Sequence, residues 1–173
     1  AVYATPAAIV RAVLSGALGP APDLVLSGVN HGPNTGTAIL HSGTVGAALT
    51  AAALGTRALA VSADLGGDGA VHHWDTVEHV TTAVLDRFLT SGVPVAGLNV
   101  PDVALSALPG VVAAPLAPLG AVEARVTGRG DDEVTVVEEP IPGARQPEGT
   151  DARMLADGWA TLTALVPVAA DSS

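Results

Sequence analysis

Residues 23–46 read DLVLSGVNHGPNTGTAILHSGTVG, and this stretch decides the fold. It opens as an apolar run at Leu24, Val25 and Leu26, which predicts a buried strand over Asp23–Ser27. A loop with Gly28, Gly32, Pro33 and Gly36 follows. Ser42, Gly43 and Thr44 then precede an alanine-rich helical run. Strand, glycine-rich loop and helix N-terminus is the arrangement with which α/β proteins build an anion site. The amides of a first helical turn have no intrahelical acceptor and are available to phosphate oxygens. A serine before a helix also suits an N-cap.

The standard nucleotide loops do not fit. The spacing of glycines 28, 32 and 36 is not G-x-G-x-x-G, and a P-loop needs a lysine, which this chain lacks. An unstructured loop of this length is usually functional. Asn30, just past a strand's carboxyl end, is placed either to offer an amide oxygen to a hard cation or to shape a turn. Asn34 is open between a substrate contact and an Asx turn. His31 either faces a ligand or is solvated.

The string SGVN-HGPNTG-x4-HSGTVGAA, residues 27–48, resembles the SurE family of stationary-phase survival proteins and metal-dependent nucleotidases. Weaker echoes are Tyr3, Thr5 and Pro6, then ALAVS at 58–62, LNVP at 98–101, and Gly149-Thr150-Asp151. The resemblance implies a three-layer, Rossmann-like α/β fold with a mostly parallel sheet, spanning residues 1–110. Residues 111–173 would add a β-hairpin and a C-terminal arm that trades between subunits. It further implies hydrolysis of nucleoside 5'/3'-monophosphates with a divalent ion, Mg²⁺ or Mn²⁺. Asn30 matches the metal-binding asparagine, while Asn34, Ser42, Gly43 and Thr44 match the phosphate and substrate contacts. A homodimer or homotetramer in the cytoplasm is expected. His41 stands where the family often has tyrosine.

One departure matters. The family's first strands, its tandem aspartate and its metal-binding serine have no counterpart in this chain, so an N-terminal segment is expected to be missing and the catalytic residue is unassigned. A non-catalytic binding or oligomerisation protein is therefore the alternative. Asp131-Asp132 is the sole Asp-Asp pair, but it follows Gly130 late in the chain and reads as a hairpin turn. Glu138-Glu139 reads as a solvated strand end, and Asp151 as structural, a cap for the turn after it.

Composition narrows the classes. The formal charge is −10, from 17 acidic residues against 7 arginines. That argues against binding nucleic acid polymers, which need a basic footprint. The chain has no cysteine, which excludes disulfides and thiolate zinc sites. No apolar run is long enough for a membrane span. Phe, Tyr and Trp number only four, so the core must pack through small aliphatic side chains and no base-stacking platform is evident.

The rest of the chain reads in order as follows. Thr5-Pro6 starts a helix carrying Ile9, Val10, Val13 and Leu14 on one face. Thr44–Leu54 is a short helix and Ala58–Ser62 a buried strand. After a turn at Asp64–Gly69, His72–Thr90 is an amphipathic helix with a stripe of Val77, Val80, Val84, Leu85, Phe88 and Leu89. Asp75 and His79, though four apart, read as its solvated face. Strands are predicted at Val95–Val100 and Val111–Ala114, a hairpin at Glu123–Val137, helical turns at Asp151–Ala156, and a closing strand at Trp159–Val166.

Overall fold

A computed structural model describes residues 2–65, 72–118, 122–130, 133–140 and 146–167. The elements are α1 (Pro6–Leu14), β1 (Leu24–His31), α2 (Gly43–Ala53), β2 (Arg57–Asp64), α3 (Trp74–Thr90), β3 (Val95–Pro101), β4 (Val111–Ala113), β5 (Val122–Arg129), β6 (Val134–Pro140), α4 (Asp151–Ala156) and β7 (Ala160–Leu165). Short 3₁₀ turns occupy Gly36–His41 and Leu105–Ala107. The main sheet has the order β1-β2-β3-β7-β4, and β5-β6 pair as a separate antiparallel hairpin. β1, β2 and β3 run parallel; β7 is antiparallel to β3 and parallel to β4. The predicted α/β class with a mostly parallel sheet is the observed one.

Local chemistry sets the helix ends. Thr5 caps α1 by accepting from the Ala8 amide, and Pro6 follows it. Ser42 caps α2. Arg57, at the start of β2, donates to the carbonyls of Phe88, Leu89 and Val93 and lies 4.8 Å from the Phe88 ring centre. It thus closes the C-terminus of α3, where cations are favoured.

Strand alternation divides the core in two. Leu59, Val61, Ala63, Leu98 and Val100 face α3 through Val77, Val80, Val84 and Phe88. Ala58, Ala60, Val95 and Leu165 face α1 and α2 through Val10, Val45, Ala47, Ala48 and Ala51. Each large apolar side chain in these layers contributes about 1.5–3 kcal/mol on burial. The strands advance β1, β2, β3 in one direction, yet α2 and α3 lie on opposite faces. The two crossovers therefore have opposite hands, and one departs from the right-handed rule.

Several expectations are corrected. Among the described residues β1 stands at the end of the sheet and is only partly covered; Leu26 is 50% and Val29 45% exposed. It also runs past Ser27 to His31, so Gly28 and Asn30 lie within it and not in the loop. α3 begins at Trp74, and Leu89 is exposed, about 100° round the helix from the buried Phe88. In the C-terminal part, β4 and β7 join the main sheet. The Ala160–Leu165 strand is mostly buried, Ala164 being exposed, because it lies between two strands. Asp131-Asp132 and the side chains of Glu138-Glu139 lie outside the described residues, as do positions 66–69 of the predicted turn.

Candidate functional site at the carboxyl ends of the strands

The register of β1 against β2 builds the site. Ser27 pairs with Ala60 and Asn30 with Ser62, so three steps on β1 oppose two on β2. The extra residue is a bulge, and bulges re-aim the side chains beyond them. Here the bulge turns Asn30 to the α2 side of the sheet, where regular alternation would have sent Val29. Gly28 makes this possible. Its φ is +139°, and a Cβ there would collide with the Val61 carbonyl oxygen. The Gly28–Val29 peptide bond is cis.

A polar row then crosses an otherwise apolar sheet. Asn30, Ser62, Asn99 and Thr161 are successive partners on β1, β2, β3 and β7. Ser62, Asn99 and Thr161 are all buried, and Thr161 Oγ1 has no hydrogen-bond partner among the described residues. Asn99 clamps the loop: its Oδ1 accepts from the Asn34 backbone N–H at 2.7 Å, and its Nδ2 donates to the Asn34 carbonyl at 2.9 Å. The Asn34 side chain donates to Ser62 Oγ at 2.7 Å. Asn34 is thus held at three points.

Asn30 is fixed from both ends. Its Nδ2 donates to the Gly32 carbonyl at 2.9 Å, and its Oδ1 accepts from Thr44 Oγ1 at 3.3 Å. An amide oxygen has two lone pairs, so one acceptor direction is left. Ser42 Oγ accepts from the Val45 amide at 3.1 Å. The amides of Gly43 and Thr44, first in α2, have no intrahelical acceptor. The structure therefore brings Asn30 and Thr44 into contact at the start of α2, beside Ser42 and Gly43. His41 ends the 3₁₀ turn and is exposed.

Asp151 ties the loop to the C-terminal part. It is fully buried, and its carboxylate accepts from Gly36 at 2.9 Å, Ala117 at 2.8 Å and Ala152 at 2.7 Å. Its structural role was legible in the sequence, but its main partners are far along the chain.

On the other face of the sheet, Asp102 gathers two histidines. His72 Nδ1 lies 3.0 Å from Oδ2, while the His73 backbone N–H and Nδ1 lie 2.8 and 2.9 Å from Oδ1. Burial first, and the Asp102 carboxylate second, push the Asp64 carboxyl above its ordinary 3.8. Sequence reasoning passed over Ser62, Asn99 and Asp102. The available signal was a polar residue inside each buried run, as in Leu98-Asn99-Val100.

Among the described residues no group of three or more His, Asp or Glu could hold a metal ion. Asn30 alone supplies one amide oxygen, which is a poor site for a hard divalent cation. The described residues therefore do not by themselves fit the ion that the resemblance implies. Asp75 and His79 are exposed on α3. An open hollow of about 700 Å³ near Arg11, Leu14, Leu54 and Thr56 lies at the opposite, amino end of the sheet. Ligands of open α/β sheets sit at the carboxyl end.

These features define an open-sheet α/β protein with a glycine-loop site beyond the carboxyl ends of its parallel strands. A family model described as "Survival protein SurE" matches residues 1–120, and the chain belongs to that family. It is 32% identical over 167 residues to the 5'-nucleotidase SurE of Halorhodospira halophila, covering 94% of this chain and 66% of that one. It is 36% identical over 180 residues to the 5'/3'-nucleotidase SurE of Edwardsiella ictaluri, covering 93% and 63%. The crystal structure of the SurE protein from Aquifex aeolicus superposes with a TM-score of 0.78 at 27% identity, covering 96% of this chain and 68% of that chain. The chain thus spans about two thirds of the length of these relatives. No helix among the described residues is long and apolar enough to cross a membrane.

Proposed function

We propose that this chain carries the phosphate-binding part of a nucleotidase that hydrolyses nucleoside 5'- or 3'-monophosphates. The single observation that carries this reading is the Thr44–Asn30 contact at the start of α2, directly after the glycine loop. The Gly43 and Thr44 amides would take the phosphate oxygens, helped by the positive end of the α2 dipole, worth about 0.3–1 kcal/mol. Thr44 Oγ1 orients Asn30 Oδ1. Ser42 holds the first turn in place through its cap, and Asn34 keeps the loop shaped around the ester. Preorganised donors of this kind act on charge that develops in the transition state.

Asn30 is proposed as one oxygen donor to Mg²⁺ or Mn²⁺. Any such ion needs carboxylates that the described residues do not gather there, so no step is assigned to it. A homodimer or homotetramer in the cytoplasm accompanies the reading. The same lack of neighbouring carboxylates favours, as the second reading, a protein that binds phosphate esters without turnover.

The test is phosphate release from 5'- and 3'-AMP with Mg²⁺ or Mn²⁺ present. Release that Asn30→Ala and Thr44→Val each lower by about 100-fold supports the enzyme, the scale being that of losing one oxyanion donor. Release indifferent to both places the chemistry elsewhere. Binding of AMP without release selects the second reading.

A further inference from the structure

Three aromatic rings meet at the tip of β1, on the face away from the phosphate loop. His31 and His72 stand edge to face with ring centres 5.5 Å apart and planes at 87°. His72 and Trp74 repeat the geometry at 6.5 Å and 78°. Asp102 holds the His72 ring by its Nδ1. Trp74 is 47% exposed, and His31 is exposed as well. In a chain with four Phe, Tyr and Trp residues, this cluster is a notable local use of rings. The one phenylalanine, by contrast, is buried in the core.

Core packing does not account for the cluster, because two of its three rings face solvent. An exposed ring at a fixed angle offers its π-face to a planar ligand, and every nucleobase has one. His31 follows Asn30 directly in β1, so strand alternation sets the two on opposite sides of one strand tip. A mononucleotide carries its phosphate and base at opposite ends of a ribose and so has the form to straddle such a tip. We infer that His31, His72 and Trp74 form the shelf on which the nucleobase stacks, with Asp102 as the positioning residue for His72. This rests on the nucleotidase reading for the phosphate half alone. The shelf itself selects a planar base with or without phosphate.

The experiment uses three probes on the unmodified chain: adenosine, ribose 5-phosphate and 5'-AMP. Adenosine is expected to quench tryptophan fluorescence, and Trp74→Leu to abolish the quench. Trp74→Leu is expected to weaken AMP binding by about 5- to 150-fold, the range of one stacking contact. Binding of ribose 5-phosphate should stay unchanged. His31→Ala, at an exposed position, should weaken adenosine in the same direction and guards against a misfolded Trp74 variant. Ribose 5-phosphate bound while adenosine is ignored overturns the shelf and leaves the phosphate reading standing. Adenosine and AMP bound while ribose 5-phosphate is ignored does the reverse. Equal losses for AMP and ribose 5-phosphate in both variants make the rings structural and also overturn the shelf.

Discussion

Asp151→Ala tests how the glycine loop is held. The carboxylate of Asp151 is fully buried and accepts three backbone N–H bonds, from Gly36, Ala117 and Ala152. Hydrogen bonds to a charged group contribute about 1.5–3 kcal/mol each. Three would total about 4.5–9 kcal/mol, but neighbours are not additive and some amides will recruit water. A loss of about 4 kcal/mol is therefore expected, a large share of the 5–15 kcal/mol that stabilises a typical domain. With a urea slope of about 2 kcal/mol/M, the unfolding midpoint should fall by about 2 M. Asp151→Asn is the sharper variant. Its amide oxygen can replace Oδ1 toward Ala117 and Ala152, while its NH₂ would then face the Gly36 N–H donor to donor. That change should cost about 2 kcal/mol and speed hydrogen exchange at Gly36 more than at Ala117. The reasoning fails if Asp151→Ala unfolds within about 1 kcal/mol of the parent, or if Asp151→Asn leaves exchange at Gly36 unaltered.

Three further outcomes are expected. Gly28→Ala should cost about 3 kcal/mol or more, combining a strained φ with the clash on Val61, and a parent-like melting temperature would refute the bulge argument. Asn99→Ala leaves the Asn34 N–H and C=O without their partner; it should cost about 2 kcal/mol and raise exchange at Asn34, whereas unchanged exchange would show that the clamp is idle. Asp64→Asn should stabilise the protein at neutral pH. The folded-state value of Asp64 is raised, so the native state binds the proton more tightly and ionisation above 3.8 opposes folding. The gain should shrink as pH falls through the raised value toward 3.8. A variant less stable than the parent at neutral pH, by denaturant midpoint, would contradict that sign.

Local rules determined much of this protein from the sequence alone. Thr5-Pro6 and Ser42 start their helices because hydroxyl and proline chemistry acts within four residues. The runs at 58–62 and 95–100 are strands because a sequence apolar at nearly every position must be covered on both faces. The helix start at Ser42, Gly43 and Thr44 was legible for the same reason, a serine cap acting on the turn beside it. Only the tertiary structure decided what depends on register and on distant partners. One extra residue in β1 carries Asn30 to the face of Thr44, and no composition reveals which strand will bulge or which strand becomes the edge. Asn99 meets the loop across 65 residues of chain and Asp151 across 115, and His31 meets His72 only because β1 ends beside the start of α3. A sequence states which side chains are able to pair. Which of them do is fixed by the burial of the sheet's two faces, where a polar group without a partner is too costly to keep.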